Sequence, residues 1–429
     1  MNTPLGLKKL NAAFLLFLLA THAWADANTN DPPAQWIDPD TGHRVIRLSL
    51  EPGSECFYFN VNPFTPDGKK MAFTSPSGIS AVDLATRKIE KVVEGRGLRV
   101  ILVGRKTGQV YYSQLTNVFA ADLETKTVRK IAALPLGMRA SAVNCDETLL
   151  AGTTVLLDEA QAREEQAREE TSNSDSARKS KARNIEERFA KHLTMELFFL
   201  NLQTGEMKKF NRCTDWLNHL QFSPADPGLL LFCHEGPWQK VDRIWTIRSD
   251  GSQLTRIHTR TMAMEIAGHE FWSADGKTIW YDLQTPRGAD FWVAGYSVAS
   301  GERTWYHLQR DEWSVHFNVS PDGKLFCGDG GGAGMVAHAE NGQWIYLFHP
   351  ELVANTAGTN LSQNGLIKPG VFHSERLVNM GRHDYALEPN ATFTPDMKWL
   401  VFRSNLSAAN HVYAVELKKA DAAEAKSSP

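Results

Sequence analysis

The sequence predicts an all-β fold, a seven-bladed β-propeller with a charged helical insertion in one blade. Two recurring half-units and their spacing carry that prediction. The first half-unit is an apolar strand, a Pro-Asp-Gly-Lys type turn and a second apolar strand. It starts at Phe64, Val143, Phe222, Trp272, Val319 and Phe393, with a degenerate copy at Val103. The second half-unit is a strand ending in Asp-Leu-x-Thr-Gly or a relative of it, and starts at Ser80, Val118, Leu197, Ile244, Phe291, Trp344 and His411. Both series count seven, at roughly 40–50 residues per unit, the repeat length of four-stranded propeller blades. Alternating apolar and polar residues around Asp-Gly and Thr-Gly turns are the mark of hairpins. Radial closure then hides the sheet edges that so much β structure would otherwise expose.

The chain opens with what reads as an export signal, residues 1–25. Lys8 and Lys9 form its basic end, Ala12 to Ala20 an apolar run too short to span a bilayer, and Ala23-Trp24-Ala25 a small-x-small cleavage site. With no cysteine near the cut and no later run of about 18 apolar residues, a membrane anchor is not expected. The mature chain is expected to be soluble, exported and periplasmic, with the propeller at 26–418 and a disordered tail at 419–429. At 42% hydrophobic residues, 22% charged residues and a net charge of −3, it can bury a core but offers no electrostatic reason to bind nucleic acid. Five scattered cysteines show no CxxC spacing, which allows one disulfide and leaves at least one thiol over.

Two stretches break the repeat. Residues 158–192 are densely charged and read as a helix with a mobile middle, inserted between strands of one blade; it is either a solvated surface excursion or a lid whose basic residues meet an acidic substrate. The glycine-rich GDGGGAG beginning at Gly328 lacks phosphate-loop spacing, which excludes nucleotide binding.

One slot within the first half-unit gathers polar residues. His219, His269 and His316 each stand five residues before the same turn position, and Asn390 occupies the slot in the last unit. Side chains at one height on the inner strands of successive blades form a ring, so these groups are expected to converge. Imidazoles with amide or carboxylate oxygens suit a divalent transition metal such as Mn²⁺, Zn²⁺ or Fe²⁺. Glu388 shares a strand face with Asn390 by the period-two rule and His383 lies close in sequence, making His316, Glu388, Asn390 and His383 the candidate metal ligands. Alternatively, each histidine fills its own blade separately.

His234, Glu235, Arg243, His269 and Glu270 gather at strand ends. A cation beside an imidazole base suits elimination next to a carboxylate, because the cation stabilises charge left on the carboxylate when the weakly acidic proton departs. In that reading His269 is the base, Arg243 clamps the acidic sugar and His234 binds or protonates the leaving oxygen. His219, Glu235 and Tyr385 are expected to contact substrate.

The stretch CHEGP at 233–237, Arg243-x-Trp245, HEFW at 269–272, the placement of His316 and the final FTPD together resemble the oligogalacturonate lyase family, most strongly over residues 215–335. The resemblance implies a seven-bladed propeller holding Mn²⁺ in its channel and cleaving digalacturonate-type acidic oligosaccharides by β-elimination. It places the base at His269, the arginine at Arg243 and a metal ligand at His316. The chain departs from the family where His-Pro-His is usual before the last FTPD: it has Glu388-Pro389-Asn390, with Tyr385 or His383 near the place of an upstream glutamine. Oxygen ligands keep Mn²⁺ possible and also suit Ca²⁺. The change opens the substrate to other uronate-containing oligosaccharides. The readings from other classes are a TolB-like periplasmic propeller that binds proteins without catalysis and a non-catalytic binder of acidic oligosaccharides. Oligomeric state leaves no mark on the sequence.

Overall fold

The repeated turns hold themselves in shape through one carboxylate each. Thr65, Ser273, Ser320 and Thr394 each donate a hydroxyl hydrogen bond of 2.7 Å to the aspartate two residues on (Asp67, Asp275, Asp322 and Asp396). The same oxygen accepts the backbone N–H of the following lysine, Lys69, Lys277, Lys324 or Lys398, at 3.1 Å. The residue between must turn left-handed, and Gly68, Gly276 and Gly323 do so at φ of 69°, 67° and 73°. In the last unit Met397 holds that place at φ 55°. These turns join the hairpins from which the blades are built.

The computed structural model describes residues 33–157, 161, 163, 167, 181–335, 337–338, 343–356 and 365–421. The expected export signal lies outside them, as does the chain beyond 421. The strands form antiparallel sheets in chain order. Blade 1 is Lys70–Ser75, Gly78–Asp83 and Ile89–Glu94, its inner strand reduced to the bridges Glu55–Thr74 and Phe64–Met71. Blades 2, 3 and 4 each have four strands and begin at Leu98–Val103, Met138–Val143 and Trp216–Phe222. Blades 5 and 6 begin at Ile266–Trp272 and Phe317–Val319. They merge into one eight-stranded sheet, because Arg303–Leu308 pairs in parallel with Ile367–Asn379. Blade 7 is closed by the chain's beginning: His43–Arg47 pairs with His411–Lys419.

Among the described residues the apolar side chains fall into seven clusters, each between neighbouring blades. The cluster with Ile46, Phe73, Val401 and Val412 joins blade 7 to blade 1 and closes the ring. A large side chain such as Phe73, Phe232 or Phe317, buried between sheets, contributes about 1.5–3 kcal/mol, so closure is held by apolar packing as much as by strand pairing. All five cysteines are free thiols.

The insertion enters blade 3 between Leu149–Val155 and Met195–Asn201, which still pair residue for residue. Its helix α1, Lys181–Lys191, docks on blade 4. The Arg188 guanidinium lies 4.4 Å from the Trp216 ring, Lys240 pairs with Glu186 at 3.0 Å, and Phe189 packs against Gly236, where a Cβ would come within 3.2 Å of the ring.

Candidate active site

In blades 4 and 5 the slot that collected histidines is a β-bulge. In blade 4 the ladder runs Asn218–Cys233 and then Gln221–Leu231, so His219 and Leu220 face a single partner residue. In blade 5 it steps from Gly268–Asp282 to Phe271–Trp280, giving His269 and Glu270 the same place. An extra residue re-aims its side chain out of the pleat. The backbone pays for that aim with a left-handed conformation: φ is 49° at His219, 45° at His269 and 57° at Asn390. Such strain costs of order 1–3 kcal/mol per residue and persists where packing over-determines it.

The three histidines converge, as expected from their register. The His269 and His316 ring centroids are 4.6 Å apart. Tyr58 and Phe59, from the segment entering blade 1, fill the space between: Tyr58 lies 5.1 Å from His316 and 5.8 Å from His219, and Phe59 stacks on His316 at 4.7 Å. Gly268 lets the Trp238 ring close over His269 at 4.9 Å, since a Cβ there would meet that ring at 2.7 Å.

Each imidazole is held by a carboxylate from the neighbouring strand of its own blade. His316 Nδ1 donates to Asp329 at 2.8 Å, His269 Nδ1 to Asp282 at 3.3 Å, and His219 Nε2 to Glu235 at 3.0 Å. Carboxylates only accept, so the bonds fix the tautomers and leave lone pairs at Nε2 of His269 and His316. Asp329 is itself pinned by the backbone N–H groups of His316 and Asn390 at 2.8 and 3.0 Å. His316 Nε2 is buried with no hydrogen-bond partner and lies 3.8 Å from Glu388 Oε2.

Arg243 is buried and donates to Glu235, with its guanidinium 4.5 Å from the Trp238 ring. Burial alone would push the Glu235 carboxyl up, but Arg243 and the His219 hydrogen bond outweigh it and hold it well below the usual range. Burial opposes the charge on Arg243 too, yet the Glu235 and Glu270 carboxylates keep it cationic. Arg243 is therefore a permanent buried cation that anchors Glu235, where the sequence suggested a free clamp. Glu270 is 1% exposed and neither carboxylate oxygen has a hydrogen-bond partner.

Four expected placements change. His383 donates and accepts within its own loop, Nδ1 with Ser404 at 2.9 Å and Nε2 with the Leu387 carbonyl at 2.7 Å, so neither nitrogen is available as a ligand. The Asn390 amide is likewise engaged: its oxygen accepts from Phe59 N–H at 3.3 Å and its nitrogen donates to the Glu388 carbonyl at 3.0 Å. These bonds fix the amide's orientation beside the segment entering blade 1. The Tyr385 hydroxyl donates to the Asp329 carbonyl at 2.9 Å and so supports the loop beneath the site, where the sequence suggested a substrate contact. His234 stands on the strand face opposite Glu235, bonded to Asp215 at 2.9 Å and stacked on Trp245, which takes it out of the histidine group. With Cys213 and Asp215, His234 forms the three-donor group that, among the described residues, could hold an ion. Of the expected four-ligand set, His316 and Glu388 lie beside one another, 3.8 Å apart.

Tyr58, Phe59, Trp238, Asp282 and Asp329 were missed by sequence reasoning. Two left a signal: Asp282 and Asp329 each follow their histidine by thirteen residues, Asp282 within an otherwise mostly apolar second strand and Asp329 just past the end of one.

The chain matches the family model described as oligogalacturonate lyase over residues 34–421. It is 25% identical over 401 residues to the oligogalacturonate lyase of Dickeya dadantii (strain 3937), covering 89% of this chain and 95% of that protein. To the oligogalacturonide lyase of Pectobacterium atrosepticum it is 24% identical over 399 residues, with the same coverage, 89% and 95%. Among solved structures, one described as an oligogalacturonate lyase in complex with manganese superposes with a TM-score of 0.71 at 23% identity, covering 90% of this chain and 96% of that one. The oligogalacturonate lyase of Vibrio parahaemolyticus superposes at 0.69 and 22% identity, with coverage of 90% and 96%.

Proposed function

Because the chain belongs to the oligogalacturonate lyase family, we propose that it cleaves short uronate oligosaccharides of the oligogalacturonide type by metal-assisted β-elimination. The observation that carries the reading is the pair His269 and His316, 4.6 Å apart, each held through Nδ1 by its own aspartate. The arrangement leaves one imidazole lone pair for a proton and another for a cation.

In this mechanism His269 Nε2 takes the proton from C5, next to the sugar carboxylate. The electrons left behind form the C4=C5 double bond as the C4–O bond breaks, and the leaving oxygen takes up a proton. His269 is partly exposed, and its Nδ1 bond to Asp282 turns Nε2 to the proton in this reading. The donor assigned here is Tyr58, whose ring touches both His219 and His316. Burial, reinforced by the charges of Glu388, Glu270 and Glu235, holds its phenol well above the ordinary range, so it keeps its proton until the oxyanion forms.

The buried, unpartnered Nε2 of His316 beside Glu388 fits a divalent cation, with Asp329 orienting the imidazole from behind. His316 and Glu388 would hold it, and it would supply a positive charge to the substrate carboxylate. The manganese in a related structure favours Mn²⁺, while the Glu388 oxygen also suits Ca²⁺. Residues 1–25 are proposed to direct export to the periplasm. The test is ultraviolet absorbance from the new double bond on digalacturonate and longer oligomers, with loss of the signal on chelation and recovery with Mn²⁺. Metal-free protein that turns over at the full rate would overturn the metal assignment.

A further inference from the structure

A cluster of donors outside the histidine group stands where blade 3 passes into blade 4. Cys213 ends the last strand of blade 3, Met207–Cys213, and Asp215 is the residue before the first strand of blade 4. His234 comes from the next strand, Leu229–Glu235, where it pairs with Leu217. A thiol sulfur, a carboxylate oxygen and an imidazole nitrogen here all lie within 4.8 Å of one another. His234 Nδ1 donates to Asp215 Oδ2 at 2.9 Å, and the Cys213 thiol donates to the Asp215 carbonyl at 3.7 Å.

The donors are fixed by their surroundings. The His234 ring stacks on Trp245 at 5.0 Å with 18° between planes, and the Phe232 ring is 5.5 Å away. Its Nε2 is buried without a hydrogen-bond partner, so Nδ1 makes the ring's polar contact. Cys213 pairs with Met195 at a bulge where the ladder steps to Leu197–Phe210, with Asn211 at φ 54°. An extra residue of this kind re-aims the side chains around it. The Asp215 side chain is 40% exposed, which gives an ion a way in and water a place beside it.

The donor set selects among cations. A thiolate with an imidazole and one carboxylate suits zinc, whereas Mn²⁺ and Ca²⁺ favour oxygen. Tetrahedral zinc with bonds of about 2.0–2.3 Å needs donors about 3.3–3.8 Å apart, so this group closes on an ion through shifts of about an ångström. Cys56, Cys233 and Cys327 are buried, and among the described residues the thiol that shares such a group is Cys213.

We propose that Cys213, Asp215 and His234 form a zinc site separate from the channel, in which the ion clasps blade 3 to blade 4 and water fills the fourth position. The site is independent of the lyase reading, since His234 stands on the strand face opposite Glu235. On binding, the thiol proton leaves to solvent and the imidazole proton moves from Nδ1 to Nε2, freeing Nδ1 for the ion.

The experiment titrates metal-free protein with Zn²⁺ by calorimetry and with Co²⁺ by absorbance, in the wild type, Cys213→Ser, Asp215→Asn and His316→Ala. The wild type should show the ultraviolet charge-transfer band of a cobalt–thiolate bond. His316→Ala, which breaks the channel pair, should keep that band, and Cys213→Ser should lose it. Cys213→Ser and Asp215→Asn should each weaken Zn²⁺ binding by about 100-fold or more, beyond the loss typical of partners outside the ligand set. Saturating Zn²⁺ should raise the Tm of the wild type and of His316→Ala but not of Cys213→Ser. A wild type without the band, a band that survives Cys213→Ser, or a band lost in His316→Ala would overturn the proposal. The wild type and His316→Ala leave all three ligands in place, so they decide the matter even where a ligand variant fails to fold.

Discussion

Blades 2 and 3 are built like blades 4 and 5, down to a bulge in the inner strand: the ladder steps from Val100 to Leu102 and from Ala140 to Ala142. At the histidine slot these blades carry Val100 and Ala140, and neither backbone leaves the ordinary region. In blades 4 and 5 the same slot holds His219 and His269 with positive φ, each bonded to a buried carboxylate. Bulge and turn therefore belong to the scaffold, while at this slot the left-handed backbone, the imidazoles and their paired acids come together in blades 4 and 5, the arc proposed to do chemistry.

The contrast can be tested in order of expected effect. His269→Ala should lower turnover about 10²–10⁴-fold, the usual contribution of a general base, with bound metal unchanged. Val100→Ala in the quiet arc should alter stability only. Full activity in His269→Ala would remove the distinction between the arcs.

Next comes the buried pair. Glu235→Gln leaves the Arg243 cation without its partner and should cost about 3–5 kcal/mol in urea unfolding at neutral pH. The folded-state carboxyl of Glu235 is held below its unfolded value of about 4.3. Its contribution is thus complete above that value and lost as the pH falls through the folded value. The variant should show a flatter loss of stability on acidification than the wild type.

Asp329→Asn should weaken metal binding about 10–100-fold by releasing His316, read by titration of the metal-free protein. An unchanged affinity would detach the metal from His316. The smallest effect concerns the backbone alone. At His219 a glycine should be more stable than an alanine by about 1–2 kcal/mol, because only the alanine pays the left-handed penalty. At Val100 the order should reverse, glycine being the less stable by about 0.5–1 kcal/mol. The same order at both positions would mean that the bulges do not differ in strain.

Much of this was legible in the sequence. Seven turns with an Asp-Gly or its relative marked the blades, and equal spacing from His219, His269 and His316 to those turns foretold convergence, since strands of equal length put equal offsets at equal heights. The sequence also located the insertion in one blade. It did not foretell that blades 5 and 6 share a sheet or that blade 1 lacks a full inner strand, because both depend on pairing between segments far apart in the chain. His383 looked like a ligand from proximity in the chain and Asn390 from its register, but neither says which hydrogen bonds a side chain has already made.

Local patterning, then, determined the blades, their number and the common height of the histidines: turn chemistry and two-residue periodicity act over a few residues and are written in each segment. Tertiary structure decided which polar groups remain available at the axis. That choice emerged only when the ring closed, Tyr58 and Phe59 came in from blade 1, and buried carboxylates claimed one nitrogen of each imidazole, since hydrogen-bond satisfaction is settled by neighbours in space.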